Sequence, residues 1–228
     1  MARTMLIVML AACAAAALAG CRTTTAEVSH GQLAPPLHPA RLALAVGDLA
    51  KDGRFQPFSP PERIGQHTST ALGIPVGEVR APEPLCEILR PCMRQCLELS
   101  GYRLVDADPE ARQAEGDARA HPSAAATGPV LRGRIRKFEF TDYAWFWPMR
   151  AEPGQIEYEL TLKDPGGEEI WSRRIVADAG GGRYCQEDGF EPLIHRAVTD
   201  LLNQVIDAVS SDEFKLALID ARIAARAP

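Results

Sequence analysis

The chain has no run of five or more lysines and arginines, and its 30 acidic residues outnumber its 25 basic ones. Readers of nucleic acid carry basic patches and a high isoelectric point, so that partner class is excluded. A polybasic membrane-surface segment goes with it. There is no C-x-x-C pair, so the usual thiolate zinc spacing is missing and no metal site is expected. No G-x-G-x-x-G opens a helix, and the triplet Gly180-Gly181-Gly182 is not followed by Lys-Ser/Thr. That triplet therefore reads as a linker rather than a phosphate cradle, and no cofactor is expected. No apolar run reaches the ~20 residues that span a bilayer.

The run that comes nearest, Met5 to Ala19, follows a positive n-region at Arg3 and ends at Leu18-Ala19-Gly20-Cys21. This is the layout of a secretory signal. It closes on a lipobox, with cleavage between Gly20 and Cys21 leaving Cys21 as a lipidated first residue. No basic stop-transfer cluster follows, only Arg22 and three threonines. Lipidation replaces spanning by anchoring: each buried acyl CH₂ contributes ~0.8 kcal/mol, and stable attachment takes more than one chain. Bacterial lipoproteins of this type carry a diacylated, N-acylated cysteine, commonly with palmitate. Those retained in the inner membrane usually carry Asp where this chain has Arg22. That resemblance implies the periplasmic face of the outer membrane.

Residues 1–20 are thus a signal peptide, and 21–40, with Pro35, Pro36 and Pro39, read as a flexible lipidated tether. Residues 41–228 form a single periplasmic domain with mobile loops at about 50–82 and 107–128. A strand is expected in Arg41–Leu49, then a helix over Pro84–Ser100. In that helix Leu85, Leu89, Cys92, Cys96 and Leu99 share an arc, Gly101 stands at C′ and Pro91 is a misfit. The strand Tyr102–Asp106 completes a βαβ unit. Val130–Phe140 reads as a strand whose phase breaks before Phe138 and Phe140, suggesting a bulge. Gln155–Lys163 and Ile170–Ala177 make a hairpin around Asp164-Pro165-Gly166-Gly167. A helix begins near Asp188 with the stripe Ile194, Ala197, Val198, Leu201, Val205 and Ala208, and Asp212–Ala225 adds a short one. The expected class is α/β (α+β): a two-layer sandwich, a mixed sheet of about five strands with two main helices on one face.

Three groups of residues invite chemistry. Cys86, Cys92, Cys96 and Cys185 form an even set in an oxidising compartment, which suggests disulfides. Cys92 and Cys96, one helical turn apart, have Cβ atoms ~5–6 Å apart, too far for a bridge that wants ~3.8 Å. A bridge, if formed, joins Cys185 to the 86–96 group; the alternative is that the helical cysteines are small buried hydrophobes. Asp48, Asp52 and Arg54 read either as a carboxylate–guanidinium cluster or as an ordinary charged turn. Cys185, Glu191 and His195 have the residue types of a nucleophile–base set, which only geometry establishes. Separately, Tyr143, Trp145, Phe146 and Trp147 form an aromatic loop. It reads equally as a continued inward strand face or as an exposed lip for a partner.

The elements together resemble the YajG-type envelope lipoproteins and, more distantly, auxiliary lipoproteins of ABC-type transport systems. The residues that carry the likeness are the lipobox, a strand ending in Asp48, Asp52 and Arg54, then Ile64-Gly65 and Gly73. Gly101-Tyr102, Leu131-Arg132-Gly133-Arg134-Ile135, the hairpin and a last helix before Asp212 complete it. The resemblance implies a periplasmic α/β domain without established catalytic residues. The expected function is a non-enzymatic accessory or adaptor in envelope assembly or transport, held to the membrane by its lipid and bound to an envelope protein partner. The alternatives are a carrier of a lipid or glycan between helices and sheet, and a Cys/His-dependent envelope enzyme.

Overall fold

Two periodicities build two layers: alternating residues make a sheet, and residues recurring every three or four make helices. A computed structural model describes residues 22–54, 60–69, 74–107, 128–144, 154–179 and 190–225. The order is β1 (Arg22–Thr25), β2 (Ala43–Val46), β3 (Lys51–Asp52), β4 (Arg63–Ser69), β5 (Ile74–Arg80), α1 (Leu85–Leu99) and β6 (Arg103–Asp106). There follow β7 (Val130–Ala144), β8 (Gln155–Lys163), β9 (Glu169–Asp178), α2 (Glu191–Ser210) and α3 (Asp212–Ala224).

Strand β7 is the axis. Along one edge it pairs antiparallel with β8, which pairs antiparallel with β9. Along the other edge it takes three short strands in succession, all parallel to it. These are β2 at Val130 and Leu131, β3 at Arg134 and Ile135, and β4 from Phe140 to Ala144. Outside β2 lies β6, also parallel, which makes the expected strand–helix–strand pairing real. Outside β4 lie β5 and then β1. The expected bulge is present: the β7–β8 register slips between Ile135 and Lys137. Leu131, Gly133 and Ile135 face inward before the slip, and Phe138 and Phe140 after it.

The inner face of the sheet is sealed by helices. Ile156, Tyr158, Leu160 and Leu162 of β8 are at most 1% exposed. They share one buried cluster with Leu89, Met93 and Cys96 of α1 and Ile194, Leu201 and Val205 of α2. Burying each large aliphatic side chain contributes roughly 1.5–3 kcal/mol, so this layer carries the stability. Helix α1 runs unbroken through Pro91. The carbonyl it leaves without a donor is that of Glu87, and both residues are exposed, so water can serve it. Its buried stripe is rotated from the expected one, toward Met93 and Leu97 and away from Cys92 and Leu99. Gly101, at φ +87°, ends the helix as expected: Gly101 N donates to Glu98 O and Tyr102 N to Leu97 O, a Schellman closure. Tyr102 then donates its hydroxyl to Val209 O at 2.6 Å, joining the ends of α1 and α2. Phe214 of α3 stacks edge-on against both Tyr102 and Trp171, at 5.9 and 4.8 Å between centroids.

The α/β two-layer class stands, with corrections. Among the described residues the sheet has nine strands rather than about five, while the two main helices and the short one after Asp212 stand as expected. The loop expected at 50–82 contains β3, β4 and β5, because β7 is long enough to offer β3 and β4 its free edge and β5 then pairs with β4. Pro75 is tolerated because it lies outside the stretch of β5 that β1 covers. The tether expected over 21–40 is in its described part no tether, since β1 belongs to the sheet and Ala26 and Leu33 are buried. Most of the loop expected over 107–128 lies outside the described residues, as does Asp188.

Gly133 is where the parallel edge is made. A Cβ there would stand 1.8 Å from the Tyr158 hydroxyl and 2.2 Å from Leu49 O. In that space Tyr158 donates its hydroxyl to Leu49 O, and burial pushes the phenol's pKa well up. Gly133→Ala is expected to cost ~3 kcal/mol or more in urea unfolding, an overpacking penalty with a hydrogen bond lost besides. Gly128→Ala, where nothing lies within 4 Å, serves as the neutral control.

Candidate functional site

Three arrangements meet the solvent: a strap on α2, a clasp between β3 and β4, and a cationic trough on the outer face of the sheet.

The strap is the segment after β1. Glu27 N donates to Glu191 Oε1 at 3.2 Å, Ser29 Oγ lies 3.1 Å from His195 Nδ1, and Gly31 N donates to Thr199 Oγ1 at 2.8 Å. Ala34 N donates to Asn203 Oδ1 at 3.4 Å. The four α2 residues are one turn apart. Two residues of extended chain advance ~6.6 Å and four residues of helix ~6 Å, so strap and helix stay in step over the first three rungs; the last takes three strap residues, Gly31 to Ala34, for one turn. Thr24 Oγ1 adds a 2.6 Å contact to His67 Nε2, and His67 packs edge-on against Phe190. Glu191 and His195, two members of the expected nucleophile–base set, are thus occupied in holding the strap. The third, Cys185, lies outside the described residues.

The clasp answers the question of Asp48, Asp52 and Arg54. Asp52 and Arg54 do pair, at 2.5 Å, and Arg54, only 11% exposed, also donates to Arg63 O and Pro61 O at 2.7 and 2.9 Å. Burial opposes ionisation of Asp52, but hydrogen bonds from the Arg54 side chain and amide, with its charge, hold the carboxyl below its ordinary range. Asp48 stands apart, accepting from Ala50 N at 3.1 Å and 3.8 Å from Arg90. The clasp is structural: it ties the start of β4 to β3.

The helical cysteines are free thiols, not bridged to one another. Cys92 donates to Ile88 O and Cys96 to Leu202 O. Burial raises both, Cys96 to about 12, so neither offers a thiolate near neutral pH. Among the described residues no three His, Cys, Asp or Glu side chains are placed to hold a metal ion. Gly20, Cys21, Trp145, Phe146 and Trp147 lie outside the described residues; Tyr143 is in β7, in register with Thr68 of β4.

The trough is a shallow space of about 270 Å³ on the outer face, lined by Lys51, Arg132, Arg134, Arg136 and Lys163 with Asp48, Glu159 and Glu169. Alternation places it: Arg132 and Arg134 point outward because Leu131, Gly133 and Ile135 point inward. Arg136 falls at the register slip and takes Glu159, at 2.6 and 3.0 Å. That leaves Arg134, in register with Glu159 across the β7–β8 pair, without an acidic partner among the described residues. On its other side it stands in register with Lys51. Like charges directly opposite each other in a sheet are destabilising. The stem of Arg134 crosses Gly53, where a Cβ would come within 2.4 Å of it. So a chain of net charge −5 concentrates positive charge here. The arrangement favours an anion carrying several oxygens. The sequence pointed to these residues only as part of a family-like strand; the period-two placement of Arg132 and Arg134 was the signal.

No protein-family model matches the sequence, and no curated protein does. Among solved structures the chain is similar to a Xanthomonas campestris protein described by the DUF330 family model. The TM-score is 0.49 at 15% identity, over 90% of this chain and all of that one. It is also similar to the PelC dodecamer from Paraburkholderia phytofirmans, with a TM-score of 0.36 at 13% identity over 79% of this chain and 93% of that one. Both are bacterial proteins. No described helix is long and apolar enough to cross a membrane.

Two outcomes check these assignments. Thr199→Val is expected to lower stability by ~1 kcal/mol and to remove hydrogen-exchange protection from the Gly31 amide. For the clasp, a lowered folded pKa stabilises only when Asp52 is ionised. The advantage of the wild type over Asp52→Asn is therefore complete above about pH 4, the unfolded value. It disappears as pH falls through the lower folded value, as read from urea midpoints across that range.

Proposed function

We propose that the chain is a lipid-anchored, non-enzymatic accessory protein of the bacterial envelope, facing the periplasm from the outer membrane. It presents the cationic trough to an anionic surface of an envelope protein partner. The lipobox at Leu18–Cys21 supports the anchor, and the trough supports the partner assignment, because Arg134 and Lys51 stand in register and neither makes an ion pair among the described residues. The carrier alternative is less well supported. The layer between helices and sheet, where such a ligand would lie, is occupied by Leu89, Met93, Ile135, Tyr158 and Leu201, each at most 1% exposed. The enzyme alternative loses support because His195 and Glu191 serve the strap.

Replacing Cys21→Ser is expected to move the protein from the membrane to the soluble periplasmic fraction, with loss of the acyl mass from its N-terminus. In the anchored protein, crosslinking in the native envelope captures a reproducible partner. Arg132→Glu/Arg134→Glu is expected to reduce that capture at least tenfold without shifting the unfolding midpoint by more than a few tenths of a molar in urea. Unchanged capture by a folded charge-reversal variant would sink the trough assignment.

A further inference from the structure

Helix α3 turns its inner side to the core through Phe214, Leu218 and Ala221, yet carries large aliphatics on its outer side as well. Leu216, Ile219 and Ile223 are 59, 39 and 64% exposed. Their spacing of three and then four is the a–d–a seam of a coiled coil, with Lys215 and Arg222 along one flank at g positions and Glu213 and Asp220 along the other at e. The polarity of those flanks decides what fits. In a parallel pair of identical helices the g flank of one faces the e flank of the other, and Lys215 meets Asp220 of the second copy five residues on. In an antiparallel pair like meets like, Lys215 against Arg222 and Glu213 against Asp220. Among the described residues neither Lys215 nor Asp220 makes an ion pair within its own chain, while Arg222 is held by Ala43 O.

We infer that the outer face of α3 is the surface on which a second copy of this chain docks, in parallel and in register, with Leu216, Ile219 and Ile223 in the seam and Lys215 paired to Asp220 across it. The seam spans ~10 Å of helix at 1.5 Å per residue. Three side chains over that length cover far less than the ~800 Å² per partner of a standard stable interface. Pairing is therefore weak in dilute solution and strengthens where copies are concentrated, as on a shared membrane. The inference rests on α3 alone and stands whether or not the trough binds a partner.

Covalent trapping reads such a weak contact. Full-length Ile219→Cys and Leu216→Cys proteins are oxidised at equal concentration and their dimer formation is compared with Leu37→Cys. Leu37 is 93% exposed and not part of α3, so it gives the rate of random collision; background from the unsubstituted chain is subtracted from all three. The expected result is at least tenfold faster trapping at both 216 and 219. Lys215→Glu slows it several-fold, and Lys215→Glu with Asp220→Lys restores it. Trapping at 219 no faster than at 37 overturns the inference. So does acceleration by Lys215→Glu, which would mean antiparallel pairing. Suppression of trapping by phosphatidylethanolamine–phosphatidylglycerol vesicles, with a blue shift of a fluorophore attached at 219, would make lipid the occupant and overturn it equally.

Discussion

The missing side chain at Gly133 is the constraint on which the architecture turns. Only without a Cβ can the Leu49 carbonyl and the Tyr158 hydroxyl meet there. That meeting presses residues 47–53 against β7, with Gly47 N and Gly53 N donating to Leu131 O and Ile135 O. The free edge of β7 is then occupied in sequence order by β2, β3 and β4, and everything outside β4 follows. The same contact positions Lys51 beside Arg134. One absent methyl group thus links the core, the sheet order and the charge of the outer face.

The division of surfaces follows from this frame. One side of the sheet is closed by α1 and α2 over a layer of fully buried side chains. The other is open and carries alternating charge, part of it paired: Arg136 with Glu159 and Arg174 with Glu157. Against that paired background the Lys51–Arg134 juxtaposition stands out. The outer side of α3 is a third kind of surface, apolar where the trough is ionic, and its flanking charges are sorted by sign.

Much of the fold was legible in the sequence where a pattern was local. The alternation of Gln155–Lys163, the stripe of α2 and the glycine that ends α1 each specified their element. Strand β4 was hidden because Arg63–Ser69 has a single large apolar side chain, Ile64, and no alternation; what makes it a strand is the distant edge of β7. The strap was hidden for a related reason. Its rungs start largely from backbone amides, which every residue has, so composition pointed to a flexible chain. Thr199 and Asn203 lie off the apolar stripe of α2 and are acceptors for those amides. In the trough, the outward phase of Arg132 and Arg134 could be read from β7 alone. The charge excess could not, because Lys51 and Lys163 arrive there only by strand pairing.

Strand β1 begins at the residue after Cys21 and is laddered in parallel to β5 from Gly77 to Arg80. A lipid on Cys21 would therefore have almost no slack chain between bilayer and fold. Mechanically such an attachment is a bracket, not a spring. Tension from the membrane would load the β1–β5 ladder and the rungs on α2 at once, and tilting of the domain, rather than extension of a leash, would set how far its surfaces swing above the bilayer.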